Sequence, residues 1–534
     1  MATQTSSLAN IPAPSKGWNT SLPINAMSPQ FATTLQNYIV EPDRVAQRPG
    51  AAVWARSVGG IASTAPVIGL MSYYLSSGGA PEVKLYSADP AGIRDITVAP
   101  TNPAVAIALT SFNPGVAINM TTSAGAYLLY LNGQDSPKRF DGTTWISITG
   151  AGTGAITGVT TTGLFNGCVY RRRLFLLEGN TLGFWYLPVD SIAGAAVYFN
   201  LGSIFTKAGV ICACLNWTLD GGDGPDDYIV FVTTAGEVAV YFGSDPAVTA
   251  DWSLQGVYDI GRPGGVSNAT DFWISAARCL CKFGGDILFL CSAGLYPLGK
   301  ALQSVAVDRS QAISDNIETA LTSDMRNLVV NKNNSPLWSV VNLPGSSLIV
   351  VTGPTKNYVM HTQSKAWSSW VHSTATYCWF EYQGTQFQMP LFGTIRQVSR
   401  ALNNSTTTDL TTNTSGLAVV TPYTHEWASA FTRFGSVQSQ EIVELRPLIL
   451  ASPQSFAVDT MANNFSIGLS TDFQDTYNLQ SYSCSPNVGG QPQCLWQTVA
   501  CWPGYAASFK FTGSLSNPCA TVLGVDLRLQ PAET

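Results

Sequence analysis

Apolar residues along this chain fall in short runs broken by Gly, Pro, Asn and Asp. Helical spacing is scarce. One segment shows it clearly: in SQAISDNIETALTSDMRNL (310–328), Ile313, Ile317, Leu321 and Met325 recur on one face with polar residues opposite, which predicts a helix. The other runs read as strands, because they are short, rich in β-branched and aromatic residues, and bounded by turn formers.

The runs gather into hairpin packets. GAYLLYLNGQDSPKRFDGTTWISITG (125–150) breaks at NGQDSP and DGTT, and NGCVYRRRLFLLEGNTLGFWYLP (166–188) turns at EGN. DDYIVFVTTAGEVAVYFGSDP (226–246) turns at TAGE, and ARCLCKFGGDILFLCSAGLYPLG (277–299) at FGGD and SAG. SSLIVVTGPTKNYVMHTQSKAWSSW (346–370) and TYCWFEYQGTQFQMPLFGTIRQVSRA (376–401) each carry two further turns. Each packet predicts a small antiparallel sheet. Their succession predicts an all-β fold: an irregular β-propeller with an additional C-terminal β domain and few helices. The packets share no strict signature, so a pair of β-sandwiches is the competing architecture.

The same pattern sets expected boundaries. Residues 1–60 read as an N-terminal arm and a first strand, AAVWA. Residues 61–402 hold the propeller blades, with the helix inserted near 310–328. The low-complexity run NNSTTTDLTTNTSG makes 403–416 a linker, and 417–534 form the C-terminal β domain.

Composition adds a constraint. Of 534 residues 45% are apolar, enough for a large core, but only 11% are charged, against roughly 25% in an average soluble domain. Such a surface suits a chain covered by neighbouring subunits, because interface cores are depleted in charge. Net charge is −6, and YRRRLF (170–175) is the only arginine cluster, which argues against static binding to duplex DNA through phosphate neutralisation. The eleven cysteines sit largely in apolar runs and read as reduced, buried thiols of a chain folded in cytosol. A bridge among Cys484, Cys494, Cys501 and Cys519 stays open. The N-terminus lacks the pattern of a secretory signal, and no apolar stretch is long enough to span a bilayer as a helix.

Candidate chemistry is thin. The three histidines, His361, His372 and His425, lie in no H-x-x-x-H or G-x-S-x-G context and are expected in loops or on blade surfaces. The pairs Cys212/Cys214 and Cys279/Cys281 would each present two thiols to one side of a strand. Their spacing is not that of a zinc site, and their apolar neighbours predict packing instead. The loop LDGGDGPDD (219–227) carries Asp220, Asp223, Asp226 and Asp227 without the full calcium-loop pattern; it reads as a solvated turn or an acidic channel wall, with a bound cation as the remaining option. FDGTTW (140–145) has the wrong spacing for an Asp-box turn, and no carboxylate pair is nominated for glycoside hydrolysis. No cofactor, no metal and no enzymatic activity are expected.

The packets, in order, resemble the tail nozzle proteins of short-tailed bacteriophages (podoviruses), also called tail tubular protein B or tail hub proteins. The likeness begins in GWNTSLPINAMSPQFATTLQNYIVEPDRVAQRPG (17–50), with Gly17, Trp18 and Asn19 at its start and Gln47, Arg48, Pro49 and Gly50 at its end. Trp18 and Gln47 depart from the family's pattern. It continues through 129–145, 173–196, 217–246, WSLQGVYDIGRPGG (252–265), 359–401, RPLILA and STDFQD, nearly the whole chain. The resemblance implies a structural virion protein located in the virion tail. Six copies would form a ring around a DNA channel, retaining the packaged genome and conducting it during ejection. Implied partners are further copies of the chain, the tail adaptor ring, tail fibres or spikes, and genomic DNA in transient, non-specific contact. A receptor-binding or glycan-degrading propeller of a tailspike is the alternative; an upper tail adaptor would be mostly helical. Within NYIVEPDRVAQRPG (37–50), Tyr38, Ile39 and Val40 would form a strand, Pro49 would restrict the backbone and Gly50 would allow a turn. Arg44 and Arg48 would then act as a structural fastener, tying carbonyls or carboxylates of neighbouring blades.

Overall fold

The computed structural model describes residues 6–58, 64–75, 82–218, 227–267, 272–301, 311–330, 335–385, 388–403, 408–412, 418–421, 423–435, 439–450, 463–472, 477–484, 496–499, 503–514 and 521–532. The architecture is all-β, an irregular β-propeller with added β sheets at the C-terminal end. Among the described residues, seven antiparallel strand groups follow one another as blades, the sixth being part of a larger sheet. Blade 1 runs from Gly69–Leu75 to Val105–Ala108, blade 2 from Val116–Thr122 to Trp145–Ser147, and blade 3 from Leu164–Tyr170 to Val197–Asn200. Blade 4 runs from Ile211–Thr218 to Ser253–Asp259, and blade 5 has three strands between Leu280–Phe283 and Gly294–Pro297. Blade 6 runs from Ser339–Leu343 to Trp367–Trp370, and blade 7 begins at Cys378–Gln383.

The first strand of each blade packs against the first strand, or in one case the second, of the next. Cys378–Gln383 of blade 7 packs against Gly69–Leu75 of blade 1, which closes the circle. Apolar side chains fill the gaps between blades, as where Leu128, Tyr130 and Phe140 of blade 2 meet Met71, Tyr73 and Tyr86 of blade 1. Blade 7 is completed by Gly50–Ala55, from early in the chain, lying antiparallel to Gln397–Asn403. The residues read as a first strand thus form the outer strand of the last blade.

The hairpins follow local sequence. The DGTT turn is capped by Asp141, whose Oδ1 accepts from the amides of Thr143 (2.9 Å) and Thr144 (2.8 Å), while Trp145 packs edge-on against Tyr86. Blade 3 has a second turn that the sequence reading passed over: Arg171 and Arg172, at φ 45° and 61°, link Leu164–Tyr170 to Arg173–Glu178. Paired positive φ values give the twist that a two-residue hairpin needs. The expected helix is shorter than 310–328. A 3-10 turn, Asp315–Ile317, leads into an α-helix at Glu318–Asn327, with Ile317, Leu321 and Met325 buried.

The arm and the C-terminal region share their sheets. Phe31–Gln36 lies between Trp367–Trp370 of blade 6 and His425–Ser429, which continues into Ala506–Ser514, Asn463–Thr471 and Asn478–Cys484. A second sheet joins Tyr38–Val40 and Val45–Gln47 to Thr521–Pro531 and Gln440–Leu450, and Ser7–Pro12 also pairs with Thr521–Pro531. The segment read as a linker contains a strand, Asp409–Thr412, that pairs with Gly50–Ala55 through Asp409 and Ala51. Among the described residues, no helix is long and apolar enough to cross a membrane.

The Gly-Trp-Asn start has local work to do. A Cβ on Gly17, at φ +80°, would lie 2.8 Å from the backbone nitrogen and oxygen of Trp367. Trp18 is buried, donates to the Thr33 carbonyl at 3.0 Å and stacks on Tyr358. The Asn19 Oδ1 accepts from the amides of Ser21 and Leu22, which fixes the bend that follows.

Candidate functional site

Arg48 sits between two strands, Val45–Gln47 of the arm and Gly50–Ala55 of blade 7. It is fully buried. Burying a guanidinium is costly unless it is paired and its donors are satisfied. Both conditions hold. Its two terminal nitrogens bind Asp409 end-on as a bidentate fork, at 3.1 Å to Oδ1 and 3.2 Å to Oδ2. One also donates to the Pro49 carbonyl at 3.2 Å and the other reaches the Val371 carbonyl at 3.5 Å. Nε donates to Asn37 Oδ1 at 3.3 Å. The guanidinium lies 4.0 Å over the Tyr423 ring and 5.7 Å from that of Trp370.

The surrounding groups come from four parts of the chain. Asn37, at φ 62°, bends the arm, accepts from the Val371 amide at 3.0 Å and donates to the Thr424 carbonyl at 2.7 Å. Trp370, ending blade 6, donates to the Tyr38 carbonyl at 3.0 Å. Asp409 also accepts from the Ala51 amide at 3.2 Å. The Tyr423 hydroxyl donates to the Arg48 carbonyl. Arm, blade 6, blade 7 and C-terminal sheet therefore meet on one arginine.

Two histidines line the same node. His372 Nδ1 lies 3.5 Å from Asp409 Oδ2, and His425 packs edge-on against Tyr38. Burial, and then the nearby Arg48 charge, lowers the pKa of both, against the pull of Asp409; His425 falls to about 3. Both rings are neutral at pH 7. Burial pushes the Asp409 pKa upward, but Arg48 and then His372 outweigh it and hold the carboxyl well below the usual range. The result is one cation and one anion locked together without access to solvent. The arrangement can hold four chain segments in register. It presents no reacting group to a substrate.

Of the residues expected to act as a fastener, Arg48 is held by Asp409 and by the Pro49 carbonyl. Arg44 is exposed and pairs with Glu41 three residues away. Gly50 opens a strand and makes no turn. His361 ends the strand Asn357–His361 and His425 opens His425–Ser429, both buried rather than on a blade surface; His372 lies in the loop after Trp367–Trp370, as expected, but its side chain is covered. Asp220, Asp223 and Asp226 lie outside the described residues, and Asp227 begins the strand Asp227–Thr233.

The cysteine pairs differ from each other. Cys212 packs between blades 4 and 5, Cys214 between blades 3 and 4, because a register shift between Ile211 and Ala213 breaks the alternation. Cys279 and Cys281 pack into the same core. Burial raises all four thiols, Cys279 and Cys281 to about 12, so they are protonated. Among the described residues no cluster of His, Cys, Asp and Glu could hold a metal. Cys494, Cys501 and Cys519 lie outside the described residues, as does the side chain of Cys484.

No family model matches the chain, and no curated protein matches it. Solved structures similar to it include BBS1N in complex with ARL6DN (11% identity, TM-score 0.36, covering 64% of this chain and 94% of that one). An exo-β-1,3-galactanase from Phanerochaete chrysosporium is similar at 9% identity and TM-score 0.25, over 77% of this chain and 95% of the other. The AfRom2 CNH domain is similar at 10% identity and TM-score 0.34, over 66% and 99%. Scores this low carry no argument, so the propeller assignment stands on the closed circle of blades.

Proposed function

We propose that this chain is a structural, ring-forming subunit of a short-tailed phage tail nozzle, found in the virion tail and without enzymatic activity. The family resemblance supplies the hexamer, the DNA channel, the adaptor ring and the tail fibres or spikes as partners. One structural observation supports assembly with neighbours. The outer strands of blades 1, 3 and 4 expose apolar residues along edges that no other described strand pairs: Val105 in blade 1, Val197 and Tyr198 in blade 3, Leu254 and Val257 in blade 4. Monomers guard such edges with lysine, proline or a covering element. None of these three strands carries a lysine or a proline. In a chain with 11% charged residues, apolar edges of this kind are suited to burial by another subunit.

Native mass spectrometry and negative-stain imaging of the purified chain, alone and with its adaptor ring, test this reading. A six-fold ring is expected. A chain that stays monomeric at micromolar concentration with the adaptor present would refute it.

A further inference from the structure

Where the innermost strands converge on the propeller axis, they leave a cavity of about 440 Å³. Its wall draws on the first strands of blades 1, 2, 5, 6 and 7. The volume falls within the range typical of small-molecule sites, roughly 300–1,000 Å³.

The wall mixes apolar side chains, among them Met71, Val340 and Phe380, with a few polar groups. The Asn119 amide donates to the Ser72 carbonyl at 2.9 Å, and that of Asn342 donates to the Lys282 carbonyl at 3.2 Å. Each of these bonds ties the first strand of one blade to that of the preceding blade and so fixes the amide's orientation. Each uses one N–H and leaves the amide oxygen as an acceptor. Gln383 adds a third primary amide. Tyr74 and Phe380 supply aromatic surface. The two charged groups have opposite signs: Lys282, whose ammonium is held by Asn216, and Glu381. The Glu381 carboxyl lies beside Gly345 and Ser346, and burial raises its pKa.

Amides both donate and accept, as sugar hydroxyls do. Opposite charges that cancel do not select an ion. Aromatic faces suit the C–H faces of a pyranose ring. We propose that the axial cavity binds a small neutral polyhydroxylated ligand, of monosaccharide size, through the amides of Asn119, Asn342 and Gln383. Binding in this cavity does not depend on ring assembly.

The test uses the full chain and a panel of probes: glucose, galactose, N-acetylglucosamine and, as a cationic control, putrescine. Binding is followed by saturation-transfer NMR and titration calorimetry. Ala117 also lines the cavity and is exposed on its strand. Ala117→Trp therefore fills the cavity without disturbing a packed core. At least one sugar is expected to bind saturably. Ala117→Trp should weaken it at least tenfold with an unchanged unfolding temperature, and Gln383→Ala should weaken it several-fold. Failure of all three sugars to bind, equal binding by Ala117→Trp, or binding of putrescine alone would overturn the proposal.

Discussion

Replacing Arg48 by methionine keeps the apolar stem and deletes the fork. Asp409, which is almost wholly buried, then loses both charge-assisted bonds, and the Pro49 and Val371 carbonyls lose a donor. Breaking a buried ion pair from one side costs about 3–5 kcal/mol. Two effects bound the loss. The Asp409 carboxylate keeps the Ala51 amide as a donor, and it can take up a proton once Arg48 is gone. A destabilisation of about 4 kcal/mol is therefore expected for Arg48→Met. Arg48→Lys keeps a charge but not the bidentate geometry or the flat stacking on Tyr423, and should fall in between. Urea unfolding of Arg48→Met, Asp409→Asn and the double variant gives the coupling energy, expected at about 2 kcal/mol or more. Hydrogen exchange locates the damage: protection should fall at 37–55, 367–372 and 423–429 before it falls in blades 2 to 4. A loss under about 1 kcal/mol, or a coupling energy near zero, would refute the role assigned to Arg48.

Acid should destabilise the fold in a defined order. The unfolded chain carries histidines with pKa near 6.5, while the folded pKa of His425 is lowered to about 3 and those of His361 and His372 are also lowered. Between those limits the unfolded state binds more protons, so stability is complete above about pH 6.5 and falls as pH drops. From pH 7.5 to 5, His425 alone should remove about 2 kcal/mol. Asp409, whose pKa is also lowered, contributes stability above the unfolded carboxylate pKa and loses it only as pH falls further. Urea midpoints at pH 7.5, 6 and 5 read the slope; a flat profile, or an equal slope in His425→Gln, would contradict it. Gly17→Ala should cost about 2 kcal/mol or more, from a left-handed φ plus a clash with the Trp367 backbone. Gly435 has a similar φ of +71° but open space where a Cβ would sit, so Gly435→Ala should cost only the conformational strain, about 1 kcal/mol. Equal losses in the two variants, measured by thermal unfolding, would show that the close approach at Gly17 is unimportant.

What the sequence made legible was local. Turns such as TAGE and FGGD sit between strands a few residues apart, so the hairpins of blades 4 and 5 declare themselves. What it hid was non-local or one residue out of step. The bulge at Ile211–Ala213 leaves no trace in composition, yet it sends Cys212 and Cys214 to opposite faces. His372 looked like a surface residue because histidine is polar. Its aromatic surroundings, Trp370 and Trp379, were the available sign that the ring is buried and neutral. Arg48 stood out only because arginine is rare in this chain, and its partner Asp409 lies 361 residues away in a run of threonines that resembled a linker. That distance has a mechanical meaning. The strand that completes blade 7, Gly50–Ala55, starts two residues after Arg48, and Asp409 pairs directly with it through Ala51. Completion of the last blade and the attachment of the C-terminal sheets therefore depend on the same short segment. Releasing Arg48 should loosen both together, whereas a chain with separate fastenings would lose them one at a time.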